Sequence, residues 1–180
     1  VGFEMYCEIL KSEIDRATGR DKADDMPSIH LSGTAEISDA YIIDRSFRVD
    51  YYYRISRIAS LGDLDIVKRE LLDRFGPLPK STQMLLGVAR ARVLFRGAPI
   101  KNIFIGDGSL VFSLRNLGRF NKLDELFNAV DSFKHGSVKG HRYERAGDKE
   151  LKIIFTTSDV ESSMELLLSS VCLFSFDNDK

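Results

Sequence analysis

Apolar residues recur at intervals of three and four positions in four stretches of the first half of the chain. This spacing places them on one face of a helix, so each stretch is predicted to be helical. Gly19, Gly76 and Gly97 follow three of the stretches, as expected where a helix ends at a glycine. The four predicted helices cover residues 3–17, 45–60, 63–75 and 79–96.

The second and third predicted helices carry the clearest boundary signals. Asp44 precedes the second helix and is predicted to cap it, while Gly76-Pro77 stops the third. One face of each helix is apolar and is expected to be buried. The expected buried residues are Val49, Tyr52, Ile55 and Ala59 in the second helix, and Leu64, Val67, Leu71 and Phe75 in the third, with Leu72 at the edge.

The second half of the chain changes to patterns that are typical of strands. Ile103 to Ile105 and Leu110 to Phe112 flank Asp107-Gly108, which favours a tight hairpin turn. A second pair of strands is predicted over 138–144 and 151–155. Two amphipathic helices are predicted over 123–130 and from 158 onward, and one early strand is predicted from the alternating residues Ile29, Leu31, Ala35 and Ile37.

This order of elements predicts the fold class. Helices dominate one half of the chain and hairpins the other, which favours an α+β fold over a regularly alternating α/β fold. We therefore expect a helical segment packed with a small antiparallel β-sheet built from hairpins.

Composition narrows the class of protein. The 180 residues are 43% apolar and 29% charged, enough for one domain, or for one core with a small appendage. The net charge of −1 argues against a domain that binds nucleic acid by itself. No apolar run reaches the roughly 18 residues of a membrane span, and a signal peptide is not recognisable, so we expect a cytoplasmic protein without membrane contact. The start at Val1 instead of Met suggests part of a longer protein.

Residues with catalytic or metal-binding chemistry are scattered through the sequence. Cys7 and Cys172 are interpreted as reduced, partly buried thiols, with a single disulfide as the alternative. His30, His135 and His141 lack the spacing of a zinc site, and Gly106-Asp107-Gly108 lies between two strands instead of before a helix. The sequence therefore predicts no catalytic residue, no cofactor-binding residue and no metal ligand.

One helical face has a pattern that does suggest a function. Ile66, Glu70 and Asp73 fall together on the side of the third helix opposite its apolar stripe. An apolar residue beside two carboxylates is a candidate contact for a basic partner, although a plain solvated face has the same appearance. We call these three residues the outer face.

Two segments resemble a known family. The segment from Arg48 to Ile55 (Arg-Val-Asp-Tyr-Tyr-Tyr-Arg-Ile) is followed by the segment from Glu70 to Pro79 (Glu-Leu-Leu-Asp-Arg-Phe-Gly-Pro-Leu-Pro). Together they resemble the C-terminal domain, or TRCF domain, of the bacterial transcription-repair coupling factors. The likeness extends over about 35–115, with a similar junction at Gly2 to Tyr6. The family often has Pro where this chain has Ile43.

The resemblance implies a regulatory role and a division of the chain. Residues 1–26 would be a connector helix and a linker from an upstream motor domain, and 27–180 the C-terminal regulatory domain. In that family this domain is not catalytic. It packs on the UvrB-like module of the same protein, masks the surface that binds UvrA, and restrains an ATP-driven DNA translocase until RNA polymerase is engaged. The positions of Glu70 and Asp73 carry the polar contact to arginines of that module.

Two alternatives remain open from the sequence. A nucleic-acid-contacting accessory domain would use the basic residues Arg90, Arg92, Arg96 and Lys101. An enzyme would show a deep pocket with convergent polar groups.

Overall fold

The chain is described by a computed structural model that covers Tyr6, Ile9 and residues 27–114, 123–146 and 150–174. These residues form two compact units. The helical unit comprises Thr34–Val93 together with Tyr6 and Ile9, and the sheet unit comprises the described residues of 27–33 and 94–174.

Three helices make up most of the helical unit. They are α1 (Arg45–Ser56), α2 (Leu61–Phe75) and α3 (Lys80–Leu94, of which residues up to Val93 belong to this unit). Asp44 caps α1 as predicted, since its side chain accepts a hydrogen bond from the backbone N–H of Ser46. The helix ends at Ser56 instead of Ser60, because Ser60 caps α2 in a reciprocal capping box with Asp63.

The buried face of α1 differs from the predicted one. Tyr52 and Ile55 are buried as expected, but Val49 is 39% exposed and Ala59 lies exposed beyond the end of the helix. Tyr51 takes the place of Val49 in the core. Aromatic rings bury more apolar area than valine, so the helix is turned to bury its tyrosines.

The buried face of α2 follows the prediction. Leu64, Val67 and Leu71 are buried, Phe75 is half-buried and Leu72 is 40% exposed. Gly76 ends the helix with a φ of 82°, a conformation that favours glycine. The Tyr41 hydroxyl lies 3.1 Å from the carbonyl oxygen of Leu71 and 3.0 Å from that of Gly76, which satisfies the end of the helix.

A five-stranded sheet forms the centre of the sheet unit. Its order is β1–β2–β3–β5–β4, from β1 (Ser28–Leu31), β2 (Ile100–Gly106), β3 (Ser109–Leu114), β4 (Gly140–Ala146) and β5 (Glu150–Thr156). Ile103, Ile105, Leu110 and Phe112 are buried on alternate positions. The other elements of this unit are α4 (Leu123–Ser132), α5 (Val160–Ser169) and a 3₁₀ helix (Ser170–Phe174).

The predicted α+β class is confirmed, and the hairpin at Asp107-Gly108 forms as expected. Two details were wrong. The strand β1 pairs with β2 in parallel, so the sheet is mostly but not wholly antiparallel. Ala35 and Ile37 are buried, but they lie outside the strand and in the helical unit.

The predicted connector is only partly described. Tyr6 and Ile9 are helical and Tyr6 is 1% exposed, while the predicted linker over 20–25 lies outside the described residues. The proposed boundary between residues 26 and 27 stays a prediction. In the part of the chain that the structure describes, no helix combines the length and the apolar character that a membrane crossing needs.

Candidate interaction surface

The structure places the three predicted contact residues on α2 in different environments. Ile66 is 60% exposed, on the side of α2 opposite its buried residues. Asp73 is also exposed, whereas Glu70 is half-buried. The outer face therefore presents one apolar and one acidic side chain directly, with a second carboxylate at its edge.

Glu70 is held by three side chains of the same chain. Arg54 of α1 makes a two-pronged contact, with Nη1 at 3.0 Å from Oε1 and Nη2 at 2.5 Å from Oε2. The Tyr51 hydroxyl donates to Oε1 at 3.0 Å, and Arg74 Nη1 donates to the same oxygen at 3.3 Å. The carboxylate thus joins α1 to α2 and cannot be treated as a free surface charge.

These contacts shift the pKa values of the side chains in the cluster formed by Glu70, Arg54, Tyr51 and Arg74. The hydrogen bonds from Arg54 lower the pKa of Glu70 from 4.5 to about 2, against the opposing effect of burial. Burial, and then the neighbouring Glu70 carboxylate, raise the pKa of Tyr51. Glu70 is therefore ionised, and Tyr51 stays a hydrogen-bond donor, over the whole neutral range.

We expect the contact between Glu70 and Arg54 to make the free energy of unfolding depend on pH. The folded-state pKa of Glu70 lies below its unfolded value, so the ionised carboxylate stabilises the fold above about pH 4.5, and this is lost as pH falls to about 2. Allowing for solvent screening, the loss is about 1–2 kcal/mol. Urea unfolding of the wild type and of Glu70→Gln on both sides of this window measures it. A wild-type stability that falls no more than that of the variant would contradict the assignment.

Arg74 connects the cluster to a neighbouring aromatic patch. Its guanidinium carbon lies 5.2 Å from the ring centre of Phe47 and 5.4 Å from that of Phe75. Phe47 is itself 42% exposed. A guanidinium at such distances is attracted to the ring faces, so Arg74 has favourable contacts besides Glu70.

Sequence reasoning placed Ile66 and Asp73 correctly on an outward face, but it missed the role of α1. Arg54 and Tyr51 lie 16 and 19 residues before Glu70, so no spacing rule within one helix connects them. The sequence showed an arginine on the preceding helix, but nothing in its pattern indicated that this arginine lies beside Glu70.

Two of the four residues of the nucleic-acid alternative have their charges engaged within the fold. Arg92 is 7% exposed, and its Nη1 donates to the Tyr6 hydroxyl at 3.0 Å and lies 3.4 Å from the Ser56 carbonyl oxygen. Lys101 forms an ion pair with Glu150 at 2.5 Å. Arg92 was therefore wrongly included among contact residues, because its charge is used inside the fold. The remaining two, Arg90 and Arg96, are exposed.

The structure also shows the environment of the candidate metal ligands and of one cysteine. Within the described ranges, no group of three or more His, Cys, Asp or Glu side chains is arranged to hold a metal ion. Cys172 is a free thiol and is exposed instead of partly buried, while Cys7 lies outside the described residues.

Comparisons with known proteins agree with this fold. The family model described as the TRCF domain matches residues 31–122. The transcription-repair-coupling factor of Haemophilus influenzae is 32% identical over 123 residues, which covers 64% of this chain and 11% of that protein. The factor of Escherichia coli is 34% identical over 98 residues, covering 51% and 8%, and that of Rickettsia prowazekii is 30% identical over 137 residues, covering 74% and 12%. The chain thus spans only about a tenth of the length of these relatives.

A solved structure shares the architecture. The crystal structure of the C-terminal domain of a transcription-repair coupling factor superposes with a TM-score of 0.69, covering 85% of this chain and 98% of that chain. At 17% identity this likeness concerns the fold alone.

The fold and the surface together define an α+β protein with an apolar and acidic helix face turned outward. The chain belongs to the TRCF domain family, since the family model matches more than half of its length. The resemblance that the segments around Tyr51 and Glu70 indicated is thereby confirmed.

Proposed function

We propose that this chain is a non-catalytic regulatory domain of a transcription-repair coupling factor. It packs on the UvrB-like module of the same protein, masks the surface that binds UvrA, and restrains the DNA translocase until RNA polymerase is engaged. This domain does not bind DNA or RNA polymerase by itself; other parts of the full-length protein make those contacts. The protein acts in the cytoplasm, and this domain binds no cofactor. The family membership and the homologues' names support this assignment.

The observation that carries the proposal is the exposure of Ile66 next to an acidic residue. Ile66 is 60% exposed and Asp73, seven positions later on the same helix face, is exposed as well. An apolar side chain with a charge at its rim is the arrangement found in protein contacts, where the apolar centre contributes most of the free energy. Glu70 supplies a second acidic group whose orientation is fixed by Arg54.

A contact of this size suits a reversible mask. Exposed ion pairs contribute only about 0–1 kcal/mol each, so two carboxylates and one isoleucine form a weak contact when the partners are separate molecules. Covalent linkage raises the effective concentration, to millimolar values for a flexible connection. The closed state can then dominate until a competing partner shifts the population.

The proposal predicts that damage to the outer face opens the full-length factor. The double variant Ile66→Ser/Asp73→Lys removes the apolar contact and reverses an exposed charge, without touching the Arg54–Glu70 pair. We expect UvrA to bind this variant about five- to thirtyfold more tightly, and the basal ATPase rate to rise, since loss of about 1–2 kcal/mol shifts the closed state by that factor. Titration of UvrA by calorimetry and a coupled ATPase assay measure the two effects.

Asp39→Lys provides the matched control, because it makes the same charge reversal at an exposed aspartate that lies outside α2, in the turn before α1. It should leave both values unchanged. UvrA affinity and ATPase rate that are the same in the double variant and the wild type would exclude a masking contact at this face.

A further inference from the structure

The oxygen Oε1 of Glu70 has no acceptor site left for a partner. A carboxylate offers about four lone-pair positions. In the folded chain, Oε1 accepts from Arg54, Tyr51 and Arg74, and Oε2 accepts from the second nitrogen of Arg54. A cation from another module therefore binds at Oε1, which already has three donors, only if one of these donors leaves.

Two of the three donors are fixed. Tyr51 is fully buried, and its ring packs edge-on against Phe75 at 5.8 Å. Arg54 holds both oxygens of Glu70, and its guanidinium also lies 5.0 Å from the Tyr51 ring centre. Displacing either donor would break two contacts and leave a polar group of the helix pair unsatisfied.

Arg74 is the donor that can leave. It makes the longest of the four hydrogen bonds, through a single nitrogen, and its side chain is 47% exposed against 31% for Arg54. It is also the donor that lies on the same helix as Glu70, four positions later, where such pairs are worth only about 0.3–0.5 kcal/mol. A departing Arg74 would still have the exposed ring of Phe47 as a neighbour.

We infer that Arg74 is a competitor, within the chain, for the partner's guanidinium at Glu70. In the open state Arg74 occupies Oε1 of Glu70; in the closed state an arginine of the UvrB-like module takes that position and Arg74 keeps only its contacts with the aromatic rings, such as that of Phe47. This inference rests on the proposed function and adds a regulatory residue to it. The exchange of one cation for another keeps the charge of Glu70 compensated in both states, which makes the contact easy to reverse.

Removal of the Arg74 side-chain charge is expected to increase the population of the closed state of the full-length factor. In the full-length factor, Arg74→Gln frees one acceptor position on Glu70, and we expect the closed state to be favoured about three- to tenfold, which is one net hydrogen bond expressed as a ratio. UvrA should then bind the variant three- to tenfold more weakly than it binds the wild type. The direction is opposite to that expected for Ile66→Ser/Asp73→Lys.

Two further variants make the test specific. Lys68→Gln removes the same charge from an exposed position of α2 that lies about 120° around the helix from Arg74, and it should leave UvrA affinity unchanged. In a Glu70→Gln background, Arg74→Gln should have no further effect on UvrA affinity, because the two cations compete for the ionised carboxylate. Far-ultraviolet circular dichroism checks that each variant is folded.

The outcomes separate this inference from the proposed function. Tighter UvrA binding by Arg74→Gln would show that Arg74 itself contacts the partner, and unchanged binding would show that it does not compete; either overturns the inference. The proposed function stands in both cases if Ile66→Ser/Asp73→Lys still raises UvrA affinity. If that double variant has no effect, both proposals fail.

Discussion

Tyr6→Ala is expected to lower the free energy of unfolding by about 3–5 kcal/mol, the range for removal of a buried aromatic side chain. Tyr6 is 1% exposed and belongs to the helical unit. Its hydroxyl also accepts a hydrogen bond from Arg92, a charged side chain that is itself only 7% exposed. The substitution therefore creates a cavity and weakens the satisfaction of a buried charge at the same time.

Urea unfolding followed by circular dichroism measures the loss of stability. Two other tyrosine substitutions serve as controls. Tyr6→Phe removes only the hydroxyl and should cost about 1–2 kcal/mol. Tyr53→Ala removes a half-buried tyrosine from α1 and should cost less than Tyr6→Ala. A Tyr6→Ala protein within about 0.5 kcal/mol of the wild type would show that Tyr6 is not part of the core.

The result bears on where the domain begins. A boundary between residues 26 and 27 would separate Tyr6 from the helical unit that buries it. We therefore expect a protein that starts at residue 27 to be less stable than the full chain. The N-terminal segment would then be both a connector and a contributor to the core.

Local signals in the sequence predicted the boundaries that local chemistry determines. The Asp44 cap needs only a carboxylate two residues before a backbone N–H, and the end of α2 needs only a glycine that adopts a positive φ. The hairpin at Asp107-Gly108 depends on two turn residues between strands that are adjacent in the chain. None of these features requires knowledge of distant neighbours.

Features that depend on packing between elements were not predictable in this way. Val49 fits the apolar pattern of α1, yet Tyr51 is the residue that the neighbouring helix covers. The parallel pairing of β1 with β2 joins residues more than 70 positions apart, such as Ile29 and Ile103. A pattern along one strand or helix does not indicate which neighbour it will have.

The outer face of α2 shows the same division. Helical spacing was enough to predict that Ile66 and Asp73 point away from the apolar stripe, because that depends on the geometry of one helix. The pairing of Glu70 with Arg54 depends on how α1 lies against α2, which the spacing does not contain. One of the two carboxylates that the pattern offered as a partner contact, Glu70, is therefore already paired within the fold.

Glu70→Lys is expected to destabilise the chain by about 2–3 kcal/mol, somewhat below the cost of breaking a fully buried ion pair because Glu70 retains 30% exposure. The substitution removes the acceptor of Arg54, Tyr51 and Arg74 and places a third positive charge between the two arginines. For a chain of this length, the melting temperature should fall by roughly 5–10 °C. Thermal unfolding of the variant followed by circular dichroism measures this change.

Asp73→Lys is the control, since Asp73 is exposed on the same helix and the reversal should change stability by no more than about 0.5 kcal/mol. Under the proposed function, the two reversals have different meanings in the full-length factor. A rise in UvrA binding by Asp73→Lys reports loss of the contact with the partner, whereas a rise by Glu70→Lys also includes local unfolding of the α1–α2 pair. If Glu70→Lys instead melts at the wild-type temperature, Arg54 does not hold the carboxylate in solution. Glu70 would then be as free as Asp73 to bind an arginine of the partner, without any exchange with Arg74.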